Sequence, residues 1–410
     1  MISRVNIKGH CREIELLISC SRIHLGPAIT DRINSLVQEK IDWEYVVRCA
    51  FRNRVIPFLY RNLKKTCPLT VPDDILKQLR SYNKFKTSRS LFLTGKLLHI
   101  LNLLKDNGIL AIPFKGPVLA EYVYGDFAFR EFGDLDILVH KTDAIKARDL
   151  LESDGYRPEI ELTADQKKAY LRSEYYFTVI SDVGRVVVEL HWEMAGKNSF
   201  LPLYLEGLEE RLERATLAGR EVLHVSAEDL VLYLCLHGSK DCWGNLEQIC
   251  SVAELIHSRL DMDWTLIVHL AGRLRCERRL FLGLFMARDF FGVTLPEQIL
   301  ERIKGDAKVP KLSDNVYDRL FNEPKYVPGK DLDPRFSWFH MEVRDRFEEK
   351  IRYASHLMFS PSVEEWRELP LPARLWFLHY LYRPIRLAVG LGLVVMRRCL
   401  GPQCNRKEKG

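Results

Sequence analysis

The chain has 410 residues, 47% hydrophobic and 28% charged, an ordinary globular composition that excludes wholesale disorder and fibrous repeats. Its ten cysteines form no CxxC pair and sit singly in apolar stretches, such as Cys49 in VVRCAF and Cys235 in LYLCLH, the pattern of reduced thiols in a cytoplasmic protein. The net charge is +6, but residues 371–410 carry eight cations against Glu408 alone, so the rest of the chain sums to −1, which argues against a DNA-binding surface.

The N-terminal stretch lacks the continuous apolar run of a signal peptide. Residues 1–107 read as a helical region. Apolar residues recur at helical spacing from Asp31 to Lys65, and a second helix begins after the VPDD signal at 71–74 and stops at Gly108. The texture then changes over 108–200, which read as a compact α/β core. ILAIPF (109–114) is a short strand, and Gly116 and Pro117 open a helix. DLDILV (134–139) is a strand and 142–155 a helix. Residues 174–181 and 185–192 form two strands joined by a hairpin at Asp182, Val183 and Gly184. Residues 201–304 read as a helical domain whose periodicity resumes at Ser226, an N-cap with Asp229 three residues on. Residues 305–335 read as a linker, and the remainder to 410 as a C-terminal helical region with a basic tail. The fold class is therefore α+β, a small sheet core flanked by helical domains.

Asp134 and Asp136 open the strand DLDILV. Alternate strand residues share a face, so the two carboxylates project together while Leu135, Ile137 and Val139 enter the core. Adjacent like charges are relieved by a divalent cation with oxygen ligands. Glu189 sits in the apolar strand VVVELHW, where a charge is costly unless paired or metal-bound. If that strand lies beside DLDILV, a three-carboxylate cluster forms. Such a cluster suits two Mg2+ ions roughly 3.5–4 Å apart, the arrangement of in-line phosphoryl transfer, with Mn2+ as the alternative. Lys115 and Gly116 form a strand-to-helix turn suited to phosphate. Arg130 either clamps the triphosphate or the leaving pyrophosphate, or pairs with Glu131 or Asp126. His191 shares the strand face of Glu189, and a hydrogen-bonded core histidine is the preferred reading over a site residue. His237 reads as a capping or packing residue, and Cys235, Cys242 and Cys250 as helix packing.

FKGPVLAEYVYGDFAFREFGDLDILV, followed by VVVELHW, resembles the uncharacterised bacterial nucleotidyltransferase-like family, whose pattern is close to LKG–LA–Y–R–DIDLLV–ELHW. That family belongs to the superfamily of DNA polymerase beta and the aminoglycoside nucleotidyltransferases. The resemblance is read from about residue 40 to 390. It implies a small mixed sheet with helices and transfer of NMP from an NTP, ATP first, to an acceptor hydroxyl or phosphate. Asp134, Asp136 and Glu189 would take the catalytic and metal roles, and Lys115, Gly116 and Arg130 would bind nucleotide. Lys115-Gly116 stands where the superfamily has Gly-Ser. The acceptor would be a sugar or modified peptide. The rival readings are a non-catalytic nucleotide-binding protein on the same fold, or a toxin-like transferase modifying tRNA or protein.

LAVGLGLVVM (387–396), followed by Arg397 and Arg398, is too short to span a bilayer, which needs about 20 residues. It reads first as a buried C-terminal helix. The second reading is peripheral contact at the inner face of the membrane.

Overall fold

The computed structural model describes residues 10–194, 205–322, 338–361, 363–369 and 371–399. Among the described residues, five helices precede the sheet: α1 (Cys11–Cys20), α2 (Pro27–Val37), α3 (Trp43–Arg52), α4 (Ile56–Thr66) and α5 (Asp73–Asp106). The apolar stretch from Asp31 to Lys65 is thus three helices in part or whole. The Asp42 carboxylate caps α3 by accepting from Tyr45 N at 2.9 Å. Arg54 breaks the path with φ 56°, and Pro57 sits in the first turn of α4, where its missing N–H costs nothing. Helix α5 runs for 34 residues, and Gly108 follows it with φ 69°, as the stop signal requires.

The sheet region contains β1 (Ala111–Pro113), α6 (Gly116–Tyr124), β2 (Asp134–Val139), α7 (Ala144–Ser153), β3 (Tyr156–Pro158), α8 (Ala164–Ser173), β4 (Tyr176–Ser181) and β5 (Val186–His191). Strand order is β1-β2-β5-β4-β3. The β2·β5 pair is parallel and the other pairs are antiparallel, so the sheet is mixed and the fold is α+β. Leu135, Ile137, Leu138 and Val139 are fully buried. Strand β2 is therefore covered on both faces, not on one as the alternation suggested.

A second sheet, β6 (Glu213–Leu217) and β7 (Arg220–His224), follows. Its two-residue turn, Ala218-Gly219, has φ 48° and 77°, the positive pair that matches strand twist in a tight hairpin. Then come α9 (Ala227–Lys240), α10 (Leu246–Ser258), α11 (Trp264–Arg273), α12 (Glu277–Phe291), α13 (Glu297–Lys304) and α14 (Lys308–Phe321). Ser226 caps α9 as expected, its Oγ accepting from Asp229 N. Helix α14 occupies most of the described part, up to Asn322, of the stretch 305–335 read as a linker. Its seven buried residues, Val309 to Phe321, lie at helical spacing, so burial outweighs the turn-prone composition.

The C-terminal elements are α15 (Trp338–Glu342), α16 (Phe347–Phe359), α17 (Val363–Glu368) and α18 (His379–Cys399). The chain divides into two compact units. One holds residues up to Glu159 and from Tyr175 to Asn322. The other joins Ile160–Glu174 to the residues beyond 322. In that second unit, Trp366 Nε1 donates to Ser173 Oγ at 3.2 Å, and Tyr170 lies 5.5 Å from the Trp366 ring. The buried Glu365 carboxylate takes both Arg383, at 2.8 Å, and Arg386, at 2.6 Å. Two of the tail's cations are therefore committed to an internal carboxylate. The apolar run of α18 and the basic tail lie for the most part outside the described side chains. Among the described residues, no helix is long and apolar enough to cross a membrane.

Candidate active site

Strand register builds the site. In the parallel β2·β5 pair, Asp136 stands beside Glu189 and Leu138 beside His191. In the antiparallel β4·β5 pair, Tyr176 stands beside His191 and Thr178 beside Glu189. Because side chains alternate, Asp136, Glu189, His191 and Tyr176 share one face. His191 Nε2 lies 3.1 Å from Asp136 Oδ1 and 3.1 Å from Glu189 Oε2. An ionised carboxylate only accepts, so Nε2–H is the donor to both. The Tyr176 and Phe114 rings flank the imidazole at 5.2 Å each, one stacked and one edge-on.

Lys115 is the N-cap residue of α6, and its Nζ reaches Asp136 Oδ1 at 2.8 Å. Gly116 opens the helix with φ 59°, a conformation that disfavours other residues. A Cβ there would lie 3.4 Å from the Asp134 carbonyl oxygen, so the glycine also lets the turn approach β2.

Asp136 is 2% exposed. Burial alone would raise its pKa, but the Lys115 ammonium and His191 outweigh burial and hold the carboxyl well below its usual range. Burial would lower the His191 pKa, yet its bonds to Asp136 and Glu189 raise it. Lys115 is likewise raised against its burial by Asp136 and Tyr233. Asp134, at the start of β2, has its pKa raised by burial and then by the charges of Asp136 and Glu189.

Among the described residues, Asp136, Glu189 and His191 form a group whose ligand atoms all lie within 4.8 Å of one another, close enough to hold a metal ion. Asp134 is outside this group. Asp136 Oδ2 is buried with no hydrogen-bond partner among the described residues, an acceptor left for a cation. To ligate through Nε2, the imidazole would have to move its proton to Nδ1, which is buried and has no acceptor. The donor set therefore fits a metal best through the two carboxylates, with His191 holding them in place.

Arg130 is not on this cluster. Its Nε donates to Glu247 Oε1 of α10 at 3.0 Å, and Tyr124 and Ser251 bond the same oxygen at 3.2 and 2.6 Å. Glu131, offered in the sequence as a partner, instead accepts from Tyr82 OH and pairs with Lys86. Arg130 thereby ties the 125–133 loop, which delivers Asp134, to a buried carboxylate 117 residues away.

A cavity of about 110 Å³ opens on the cluster. Glu189, His191 and Lys115 line it with Tyr175, Tyr176, Tyr233, His237 and Lys240. His237 was read as a capping or packing residue. It faces this cavity, and burial followed by the Lys115 charge pushes its pKa well down. The stretch YLCLHGSKDCW carried a legible signal: positions 233, 237 and 240 lie on one face of a helix.

A family model described as an uncharacterised nucleotidyltransferase matches residues 39–292, more than half of the chain and all of the first unit's sheet. The chain belongs to that family. It is accordingly a transferase of nucleotidyl groups. The match ends at 292, short of the C-terminal stretch to 390 that the sequence resemblance included. No curated protein matches the chain in sequence. Two solved structures resemble it loosely. One is a solution structure of the antibiotic-resistance factor ANT(2'')-Ia, at 16% identity and TM-score 0.32, covering 44% of this chain and 90% of that one. The other is a crystal structure of ANT(2")-Ia in complex with adenylyl-2"-tobramycin, at 14% identity and TM-score 0.33, covering 45% of this chain and 97% of that one. Superposition this loose fixes no residue correspondence.

Proposed function

We propose that the chain is a divalent-metal-dependent enzyme that transfers NMP from an NTP, ATP first, to a hydroxyl or phosphate of a sugar or modified peptide in the cytoplasm. The register that puts Asp136 beside Glu189, with Asp136 Oδ2 buried and unpartnered, carries this reading. A divalent ion bound there, Mg2+ or Mn2+, would neutralise phosphate charge and lower the acceptor's pKa. Asp134, Asp136 and Glu189 supply carboxylates. Glu189, the more exposed of the two carboxylates bonded to His191, would accept the acceptor's proton on its carboxylate. His191 holds both carboxylates from its Nε2. Lys115 and the Gly116 turn would receive phosphate as the ammonium leaves Asp136. Arg130 acts through its bond to Glu247 to set the loop before Asp134.

The cavity at the cluster is below the roughly 300–1,000 Å³ of small-molecule sites, so nucleotide entry requires side chains such as Lys115 and Lys240 to move. The same movement is required of the rival, a nucleotide-binding protein without turnover, and one assay separates the two. Full-length protein is mixed with Mg2+ or Mn2+, each NTP in turn and sugar or peptide acceptors, and pyrophosphate is measured. Release that disappears in Asp136→Asn supports the enzyme. Saturable NTP binding without pyrophosphate supports the rival.

Peripheral membrane contact rests on Leu381, Ile385 and Val389, which are 62%, 61% and 57% exposed at helical spacing ahead of the basic tail. Flotation with anionic vesicles at low salt tests it.

A further inference from the structure

We propose that a cleft between α4, α5 and the loop after α6 is a binding site for a small organic phosphate bearing a hydroxyl group. The inference does not depend on the transfer reaction. The cleft has a volume of about 790 Å³, within the range of small-molecule sites. Arg61, Lys64 and Lys65 line it from α4. They stand at i, i+3 and i+4, where like charges on a helix repel. None of the three forms an ion pair among the described residues. Asp126, the acid in the lining, has its Oδ1 engaged by Ala128 N at 2.8 Å. The negative end of α4 accounts for Lys64 and Lys65 in part, but Arg61 lies a turn further in.

Two further features define the ligand. Asn83 Oδ1, on the α5 wall, is buried and accepts no hydrogen bond among the described residues, so it calls for a donor such as a hydroxyl. Tyr60 and Phe129 add aromatic faces, and the Arg61 guanidinium lies 4.7 Å from the Phe129 centroid, which fixes its orientation toward the cleft. Clustered cations, one orphan acceptor and ring faces match a sugar phosphate. An extended nucleic acid would need cations along a wider surface, and the chain outside its last forty residues is close to neutral.

The test is calorimetric titration of the full-length protein with ribose 5-phosphate, inorganic phosphate and ribose, in EDTA and at low salt. A Lys115→Ala background removes phosphate binding at the carboxylate cluster. Ribose 5-phosphate is expected to bind at least several-fold more tightly than inorganic phosphate, and ribose not measurably. Arg61→Ala/Lys64→Ala/Lys65→Ala should weaken ribose 5-phosphate at least tenfold with an unchanged or raised melting temperature, since all three residues are exposed. Asn83→Ala should erase the preference for ribose 5-phosphate over inorganic phosphate. Should the triple variant lose its fold, the Lys64→Gln/Lys65→Gln pair carries the same expectation. Binding that survives these substitutions, no binding by the parent protein, or displacement of ribose 5-phosphate by an RNA oligonucleotide that binds more tightly would each overturn the assignment.

Discussion

At the scale of single residues, the ion pair between Lys115 and Asp136 decides how the cluster behaves before any ligand arrives. Asp136 is buried and Lys115 half-buried, and the ammonium occupies Oδ1 at 2.8 Å. A divalent ion must compete with it for the same carboxylate. Lys115→Ala is therefore expected to raise Mn2+ affinity by about tenfold, the effect of removing one nearby positive charge at about 1.4 kcal/mol, while turnover falls because the phosphates lose a partner. Mn2+ titration by electron paramagnetic resonance, set beside pyrophosphate release, reads the two effects separately. Weaker Mn2+ binding in the variant would mean that Lys115 preorganises the carboxylate. The pair itself was hidden in the sequence. Lys115 and Asp136 are 21 residues apart, and a lysine beside a glycine turn reads naturally as a phosphate ligand. The shared face of Asp134 and Asp136 follows from β alternation, whereas Glu189 joins it on the condition that its strand lies beside DLDILV, which the β2·β5 register meets. His191 was underweighted because one strand shows only that it shares a face with Glu189. Its second bond, to Asp136, needs the β2·β5 register.

At the scale of elements, helices were legible where burial is periodic, and hairpins only where the turn residues were the usual ones. The β4–β5 turn carries Gly184 and was readable, whereas β6–β7 turns on Ala218 in a positive-φ position normally given to Asn, Asp or Gly. Helix α8 has no counterpart in the sequence reading: Thr163 and Gln166 make a full capping box, but the helix is mostly polar and short. Close approach between elements left subtler marks. A Cβ at Gly238 of α9 would lie 2.6 Å from the fully buried Trp243 ring. Gly238→Ala is expected to cost about 1–3 kcal/mol through overpacking, even though alanine favours helix. It should also displace His237 and Lys240 at the cavity. Urea unfolding gives the first quantity, and the apparent KM for NTP gives the second. A variant as stable as the parent would show that Trp243 can shift freely.

At the scale of the whole chain, the unit built from 160–174 and the C-terminal helices was not legible, because no compositional break separates residues 160–174 from the sheet strands on either side. Stability against acid is also a property of the whole chain, and a buried neutral histidine contributes to it. His224, the last residue of β7, is fully buried. Its Nδ1–H donates to Val225 O at 2.8 Å, and Tyr122 stacks on it at 4.7 Å with Arg259 over the tyrosine. Burial pushes its pKa down to about 4, from near 6.5 in the unfolded chain. The unfolded chain thus binds the proton first. The stabilisation is complete above pH 6.5, falls as pH drops below it, and is gone by about pH 4, a total of about 3 kcal/mol from this group. His237, lowered in the same direction, adds to the loss with the same sign. Urea unfolding at pH 7.5 and 5.0 should show the parent losing about 2 kcal/mol through His224 over that interval. His224→Asn keeps a donor for Val225 O and cannot take the proton, so its loss should be smaller by that amount. Equal losses in the two proteins would mean that His224 exchanges protons with solvent in the folded chain.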